Sequence, residues 1–192
     1  MDWKNFFKRN IVLIVIILLV LFGACDLKHK YNTMINMQET IKNQWAEIDN
    51  QLKRRYDLIP NLVNTVKGYA KHEKEVFTDI ANARAKLAGA TSINEKAKAA
   101  SNLESAISRL LVIVERYPQL KADSHFTALM DELSGTENRL SVARMRYNRA
   151  VADYNKYIRM FPNNIYASWF GFKPAEYFKI PEKEKATPKV NF

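Results

Sequence analysis

The residues able to do chemistry in this 192-residue chain are few and scattered. The single cysteine, Cys25, closes an unbroken apolar block that begins at Ile11. Leu21-Phe22-Gly23-Ala24-Cys25 resembles a lipobox, in which the cysteine is acylated and becomes the new first residue, although Phe22 departs from the usual aliphatic residue at its position. His29, His72 and His125 lie far apart. His72-Glu73 supplies half of a zinc-protease motif, but Val76 stands where the second histidine is required. There is no Gly-rich phosphate loop and no Gly-x-Ser-x-Gly elbow. No catalytic, cofactor-binding or metal-binding residue is assigned on these grounds, and no cofactor is expected.

What remains is carboxylate, guanidinium and amide chemistry. Asn61, Glu137, Arg144, Asn148 and Asn155 fall on or beside apolar stripes. Glu137 and Arg144 are two helical turns apart, too far to pair directly, so each is expected to engage a neighbouring helix. Arg54, Arg55 and Asp57 are the candidate partners. Two readings compete: a buried polar network that fixes helix register, or a hydrolase site built on Glu137 or Asp57. The network is the preferred reading, because polar groups on helical seams are commonly structural, and a narrow bundle seldom offers a concave pocket.

The elements that must position these residues are helices. Apolar residues at Met34, Met37, Ile41, Trp45, Ile48, Leu52, Tyr56, Ile59, Val63 and Val66 recur every three or four positions, one buried helical stripe. Pro60 lies inside it and predicts a kink or break near Ile59, with Asp57 or Asn61 capping the second piece. The pattern resumes through Val76, Ile80 and Leu87 and stops at Gly89-Ala90-Thr91-Ser92. Ser92 with Glu95 resembles a capping box opening the next helix, which carries Leu103, Ile107, Leu110, Val114 and Tyr117 and ends at Pro118. Phe126, Leu133, Leu140, Tyr147, Tyr154 and Phe161 then recur every seven residues, with Leu129, Thr136, Ala143, Ala150 and Tyr157 as the companion line, until Pro162. The expected fold is all-α: an N-terminal membrane anchor followed by an elongated antiparallel bundle of about four helices. Residues 1–25 form the anchor or lipoprotein-type signal, 26–168 the bundle, and 169–192 an aromatic segment with a proline- and lysine-rich tail. In that last part Trp169, Phe170, Phe172, Tyr177 and Phe178 are expected to fold back over one end of the bundle. The alternative is a docking patch for a partner or the bilayer interface.

Fifteen apolar helical residues span roughly 22 Å, short of a hydrocarbon core of about 30 Å. Either Phe6 and Phe7 extend the span while Lys8 and Arg9 snorkel outward, or the segment is an export signal. Both place the protein at a membrane. The formal charge is +10, of which about +8 belongs to the part after the leader. The basic residues are dispersed, which fits a solvated surface, or contact with anionic headgroups, better than a nucleic-acid interface.

Gln44-Trp45-Ala46-Glu47, Asn50-Gln51-Leu52-Lys53-Arg54-Arg55 and Asp57-Leu58-Ile59-Pro60-Asn61-Leu62-Val63 resemble the hallmark run of the LemA family. Glu115-Arg116-Tyr117-Pro118-Gln119-Leu120-Lys121-Ala122 is similar to its second block. Phe126, Leu133, Glu137-Asn138-Arg139, Ala143-Arg144, Tyr147-Asn148, Val151 and Tyr154-Asn155 are similar to its third, and Tyr31-Asn32 also fits. The resemblance runs in order from Tyr31 to Phe178 and implies a bacterial, membrane-anchored helical protein with no established biochemical activity and no catalytic residues to carry over. The function expected is a non-enzymatic envelope scaffold or an interaction or self-assembly module. Its partners would be the membrane through residues 1–25 and a protein partner or second copy, with no nucleic acid and no small-molecule substrate. An anionic-lipid-binding protein and an envelope hydrolase are the alternatives. The domain is expected on the extracytoplasmic face, the cytoplasmic orientation being the alternative.

Overall fold

The structure is a computed structural model and describes residues 3–70 and 72–179, apart from the side chains of residues 3–9 and of Val12. The proposed snorkelling of Lys8 and Arg9 beside Phe6 and Phe7, and the tail beyond residue 179, lie outside that description. The described residues form six helices and no strand: α1 (Trp3–Tyr69), α2 (Lys74–Gly89), α3 (Ile93–Val114), α4 (Pro118–Lys121), α5 (Ser124–Arg159) and α6 (Asn163–Trp169). They fall into two compact units, one within Met1–Lys42 and Ala150–Ala175, the other within Asn43–Arg149 and Glu176–Phe192.

In the second unit the helices alternate in direction. Between α1 and α5 the contacts run from Trp45–Tyr147 through Gln51–Arg139 and Arg55–Glu137 to Tyr69–Asp123, an antiparallel pair. Tyr56–Arg84 and Lys67–Phe77 set α2 antiparallel to α1, and Asp79–Arg109 with Glu73–Arg116 set α3 antiparallel to α2. Four long helices thus run up, down, up and down. Ile48, Ile59, Leu62 and Val66 of α1, Ile80 of α2, Leu103 and Leu110 of α3, and Leu140 and Tyr147 of α5 are fully buried. Each large apolar side chain removed from water contributes about 1.5–3 kcal/mol.

Pro60 does not interrupt α1, which continues to Tyr69 and ends beside Gly68, a poor helix former. The reason is tertiary. A proline at position 60 cannot donate to the carbonyl of Tyr56 four residues earlier. Arg84 of α2 takes that place, its Nε donating to the Tyr56 carbonyl at 3.2 Å while its guanidinium lies 3.7 Å from the centre of the Tyr56 ring. A neighbouring helix thereby repairs the ladder that the sequence breaks.

The predicted capping box is present: the Ser92 hydroxyl accepts from the Glu95 N–H, and the Glu95 carboxylate accepts from the Ser92 N–H. The Ser92 and Thr91 N–H groups, with the Thr91 hydroxyl, donate to that carboxylate and hold the Glu95 carboxyl below the usual carboxylate range. Asp123 caps α5 in the same way, accepting from the N–H groups of His125 and Phe126, and the Tyr69 hydroxyl donates to its second oxygen at 2.8 Å. Pro118 opens the short α4 rather than only ending α3.

The heptad line of α5 is buried at Phe126, Leu133, Leu140, Tyr147 and Tyr154, but Phe161 is 81% exposed. The helix stops at Arg159, so the last member of the repeat is no longer on its face. In the first unit, Gln38 of α1 donates to the Tyr154 hydroxyl at 3.1 Å, and Met34, Val151 and Ile158 are buried. After α6 the chain reverses through Gly171, whose φ of 73° is open to glycine and costly for other residues. The Phe172 N–H reaches the Ala167 carbonyl at 2.9 Å and the Gly171 N–H reaches that of Ser168 at 3.3 Å, a Schellman closure.

Residues 11 and 13–22 of α1 are exposed without exception, the large apolar ones between 48% and 76%. Among the described residues no helix is long and apolar enough to cross a membrane.

Candidate functional site

The polar residues singled out in the sequence separate into two arrangements. In the first, the Arg55 side chain is 6% exposed and bridges two helices: Nη2 lies 2.6 Å from a Glu104 oxygen on α3, and Nη1 pairs with Glu137 on α5. The other Glu137 oxygen lies 3.6 Å from Arg144 Nη1, so these two do pair directly along α5 despite the two turns between them, because their long side chains close the gap. Glu137 therefore sits between two guanidiniums, and Arg55 between two carboxylates. The Arg55 Nε–H is buried without a hydrogen-bond partner, so the cluster is not fully satisfied. Arg54 points elsewhere. It is exposed and meets Glu132 at 2.7 Å, a carboxylate that Arg139 also approaches at 3.0 Å.

In the second arrangement, asparagines hold backbone. The Asn148 amide accepts from the Phe178 N–H at 2.8 Å and donates to the Phe178 carbonyl at 3.0 Å, and the Tyr147 hydroxyl donates to the Glu176 carbonyl at 2.8 Å. Phe178 is buried, with Trp45 at 6.3 Å between ring centres and the Arg144 guanidinium 5.1 Å from its ring. The first unit repeats the device: Asn155 exchanges both bonds with Ala175, at 2.8 and 2.9 Å, and the Tyr154 hydroxyl donates to the Lys173 carbonyl at 3.0 Å. In each case tyrosine holds one carbonyl, and the following asparagine holds the residue two further on. Burial pushes both phenols above their ordinary range; the Glu176 charge adds to the rise at Tyr147, while the Gln38 hydrogen bond opposes it at Tyr154.

Asp57 and Asn61 belong to neither arrangement. Both are exposed. Asp57 lines an open cleft of about 280 Å³ with Asp49, Lys53, Tyr56 and Lys96, in which Lys96 pairs with Asp49. Asn61 borders a shallow hollow beside Thr65, His125 and Leu129. Neither cleft gathers an acid, a base and a buried nucleophile, and among the described residues no three His, Cys, Asp or Glu side chains are grouped so as to hold a metal ion. Sequence reasoning missed Glu104, an isolated carboxylate beside Leu103 with no local signal. It also missed the backbone targets of Asn148 and Asn155, although the repeated Tyr-Asn pair, seven residues apart, was available to find them.

Fold and site together define a class: an all-α bundle whose conspicuous polar residues tie helix to helix and helix to extended chain. The chain belongs to the LemA family, whose family model matches residues 44–192. It is similar to Magnetosome protein MamQ 1 of Paramagnetospirillum magneticum, 25% identical over a stretch that covers 88% of this chain and 71% of the relative. Magnetosome protein MamQ of Magnetospirillum gryphiswaldense is 24% identical over 88% of this chain and 72% of the relative. Protein LemA of Metamycoplasma hominis is 24% identical over 155 residues, 80% of this chain and 71% of the relative.

Proposed function

We propose that this chain is a non-enzymatic scaffold or interaction module of a bacterial envelope, attached to the membrane through residues 1–25. The observation that carries the reading is the start of α1, where residues 11 and 13–22 are exposed on every face of the helix. A helix that is apolar all round requires an apolar environment. The motif's buried charges and amides favour a structural role, since the ion pairs of Arg55 and the hydrogen bonds of Asn148 and Asn155 go to other parts of the chain. The relatives named as magnetosome proteins are in keeping with a structural component. Attachment is either by the uncleaved helix or by acylation of the exposed Cys25. The bundle lies on the extracytoplasmic face, where it meets a protein partner or a second copy.

Fractionation tests the attachment. The full chain should sediment with membranes and resist high salt, whereas the chain without residues 1–25 should be soluble; a full chain found in the soluble fraction overturns the reading. Cys25→Ser separates the two modes, because it abolishes fatty-acid labelling and processing only if the cysteine is acylated. Protease added to spheroplasts should digest the bundle, and protection until lysis would reverse the orientation. Crosslinking in native membranes then identifies the partner. The anionic-lipid reading is favoured by the charge of +10, and retention of the leaderless chain on anionic vesicles would support it.

A further inference from the structure

The first unit carries an apolar surface that its own core does not use. Phe161 is 81% exposed, Trp169 71%, Met160 51%, Phe170 44% and Ile165 39%. Exposed apolar side chains crowded into one short stretch of chain, here residues 160 to 170, mark a docking surface. We propose that this aromatic tip, Phe161, Trp169 and Phe170, seats in the headgroup layer of the membrane to which residues 1–25 attach. The proposal rests on that attachment and adds to it a second point of contact.

Position along α1 argues for a bilayer as the occupant. The Gln38–Tyr154 hydrogen bond sets the register between the two helical segments of this unit. One heptad back along α1 is Tyr31, whose ring meets Phe170 at 5.0 Å and Phe172 at 5.7 Å, both edge-on. The tip is therefore level with Tyr31, six residues or about 9 Å beyond Cys25. If the leader spans uncleaved, a hydrocarbon core of about 30 Å needs roughly 20 helical residues, which counted from Phe6 end at Cys25. A bilayer that thins to match the fifteen-residue block from Ile11 places the boundary at the same residue. If Cys25 is acylated, the boundary again lies at that residue. Every case puts the tip within about 9 Å of the hydrocarbon edge, the level at which tryptophan and other amphipathic aromatics collect.

Charge agrees with that placement. Lys28, Lys156, Arg159 and Lys173 are exposed in the same unit and Lys30 is half-buried, against Asp26 and Asp153 nearby. Basic side chains in the unit that carries the apolar rings suit an anionic headgroup layer. The fold also gives the tip a rigid base: Tyr166 lies edge-on to Trp169 at 5.9 Å, and the Schellman closure fixes the chain after α6.

The test uses the full chain reconstituted in vesicles of phosphatidylglycerol and phosphatidylethanolamine, with Trp3→Phe and Trp45→Phe leaving Trp169 as the only reporter. Vesicle flotation reports attachment, and tryptophan emission reports the tip. The proposal expects the chain to float, iodide quenching of Trp169 to fall several-fold relative to the leaderless chain in solution, and lipids brominated near the headgroup to quench the emission. A chain that floats while Trp169 stays open to iodide overturns the tip and leaves the attachment standing. Protection from iodide without quenching by brominated lipid also overturns it, since another protein surface then covers the tip. A chain that fails to float overturns both. If Trp45→Phe prevents folding, Trp45 is retained and the Trp169 signal is the difference between Trp3→Phe and Trp3→Phe/Trp169→Phe.

Discussion

The Arg55 cluster and the Asn148 clamp lie in the same unit and solve different problems. Arg55 joins three helices with charges, and its carboxylate partners remain in partial contact with water, Glu104 at 41% and Glu137 at 34% exposure. Asn148 joins a helix to extended chain with two neutral bonds to one residue, and the buried ring of Phe178 locks the joint. A salt bridge tolerates small displacements, because Coulomb attraction falls slowly with distance. A two-bond amide clamp does not, because hydrogen bonds weaken steeply once misaligned. The cluster therefore holds helices together loosely in register, and the clamp specifies one residue against one residue.

The sharpest way to break this contrast is Arg55→Ala. It removes a buried cation from two carboxylates and leaves a hole among three helices. Breaking such a pair typically costs about 3–5 kcal/mol, and the partial hydration of both acids places this case near 3 kcal/mol. Urea denaturation should show a lower midpoint with an unchanged slope; a loss under 1 kcal/mol would mean that the cluster is ornamental. Asn155→Ala comes next, at about 2 kcal/mol, because the Ala175 N–H and carbonyl both lose their partner. Its effect should be local: limited proteolysis should cut between residues 172 and 179 in the variant and spare the wild type. Equal resistance of both would refute the clamp.

A smaller effect, about 1–2 kcal/mol, is expected for Glu137→Gln, since Arg55 keeps Glu104. This variant also decides between scaffold and site. Loss of any cellular phenotype should track loss of folded protein, whereas a variant that folds normally or melts higher yet is inactive would mark Glu137 as catalytic. The mildest expectation concerns alkali. The folded state favours the neutral phenols of Tyr147 and Tyr154, so their contribution is fully present below the unfolded tyrosine range near pH 10. It is lost as the pH rises through their higher folded values. Stability should fall above about pH 10, and Tyr147→Phe/Tyr154→Phe should flatten that fall. An identical alkaline slope in the double variant would remove the phenols from the account.

Much of the fold was legible because helices advertise themselves locally. The stripe from Met34 to Val66, the Ser92–Glu95 box and the α5 heptad to Tyr154 each reflect a period or a pairing within a few residues. Phe161 shows the limit of a periodic argument, which does not know where the helix stops. The candidate site was legible in part. Arg55, Glu137 and Arg144 do converge, but Asp57 and Asn61 carry the same chemistry and face solvent, because one helical turn decides the face and polar residues give no periodic signal of their own.

By itself the sequence determined the helical class, the apolar leader, the caps and the residue types from which any polar network had to be drawn. These follow from propensity, period and hydrogen-bonding groups a few positions apart. Only the tertiary structure decided that α1 continues through Pro60, that Glu104 joins Arg55, and that Asn148 and Asn155 hold Phe178 and Ala175. Each depends on a group 20 or more residues away in the chain. No local rule carries the position of Arg84 to the carbonyl of Tyr56; packing brings it there, because an orphaned carbonyl in a partly buried place must find a donor.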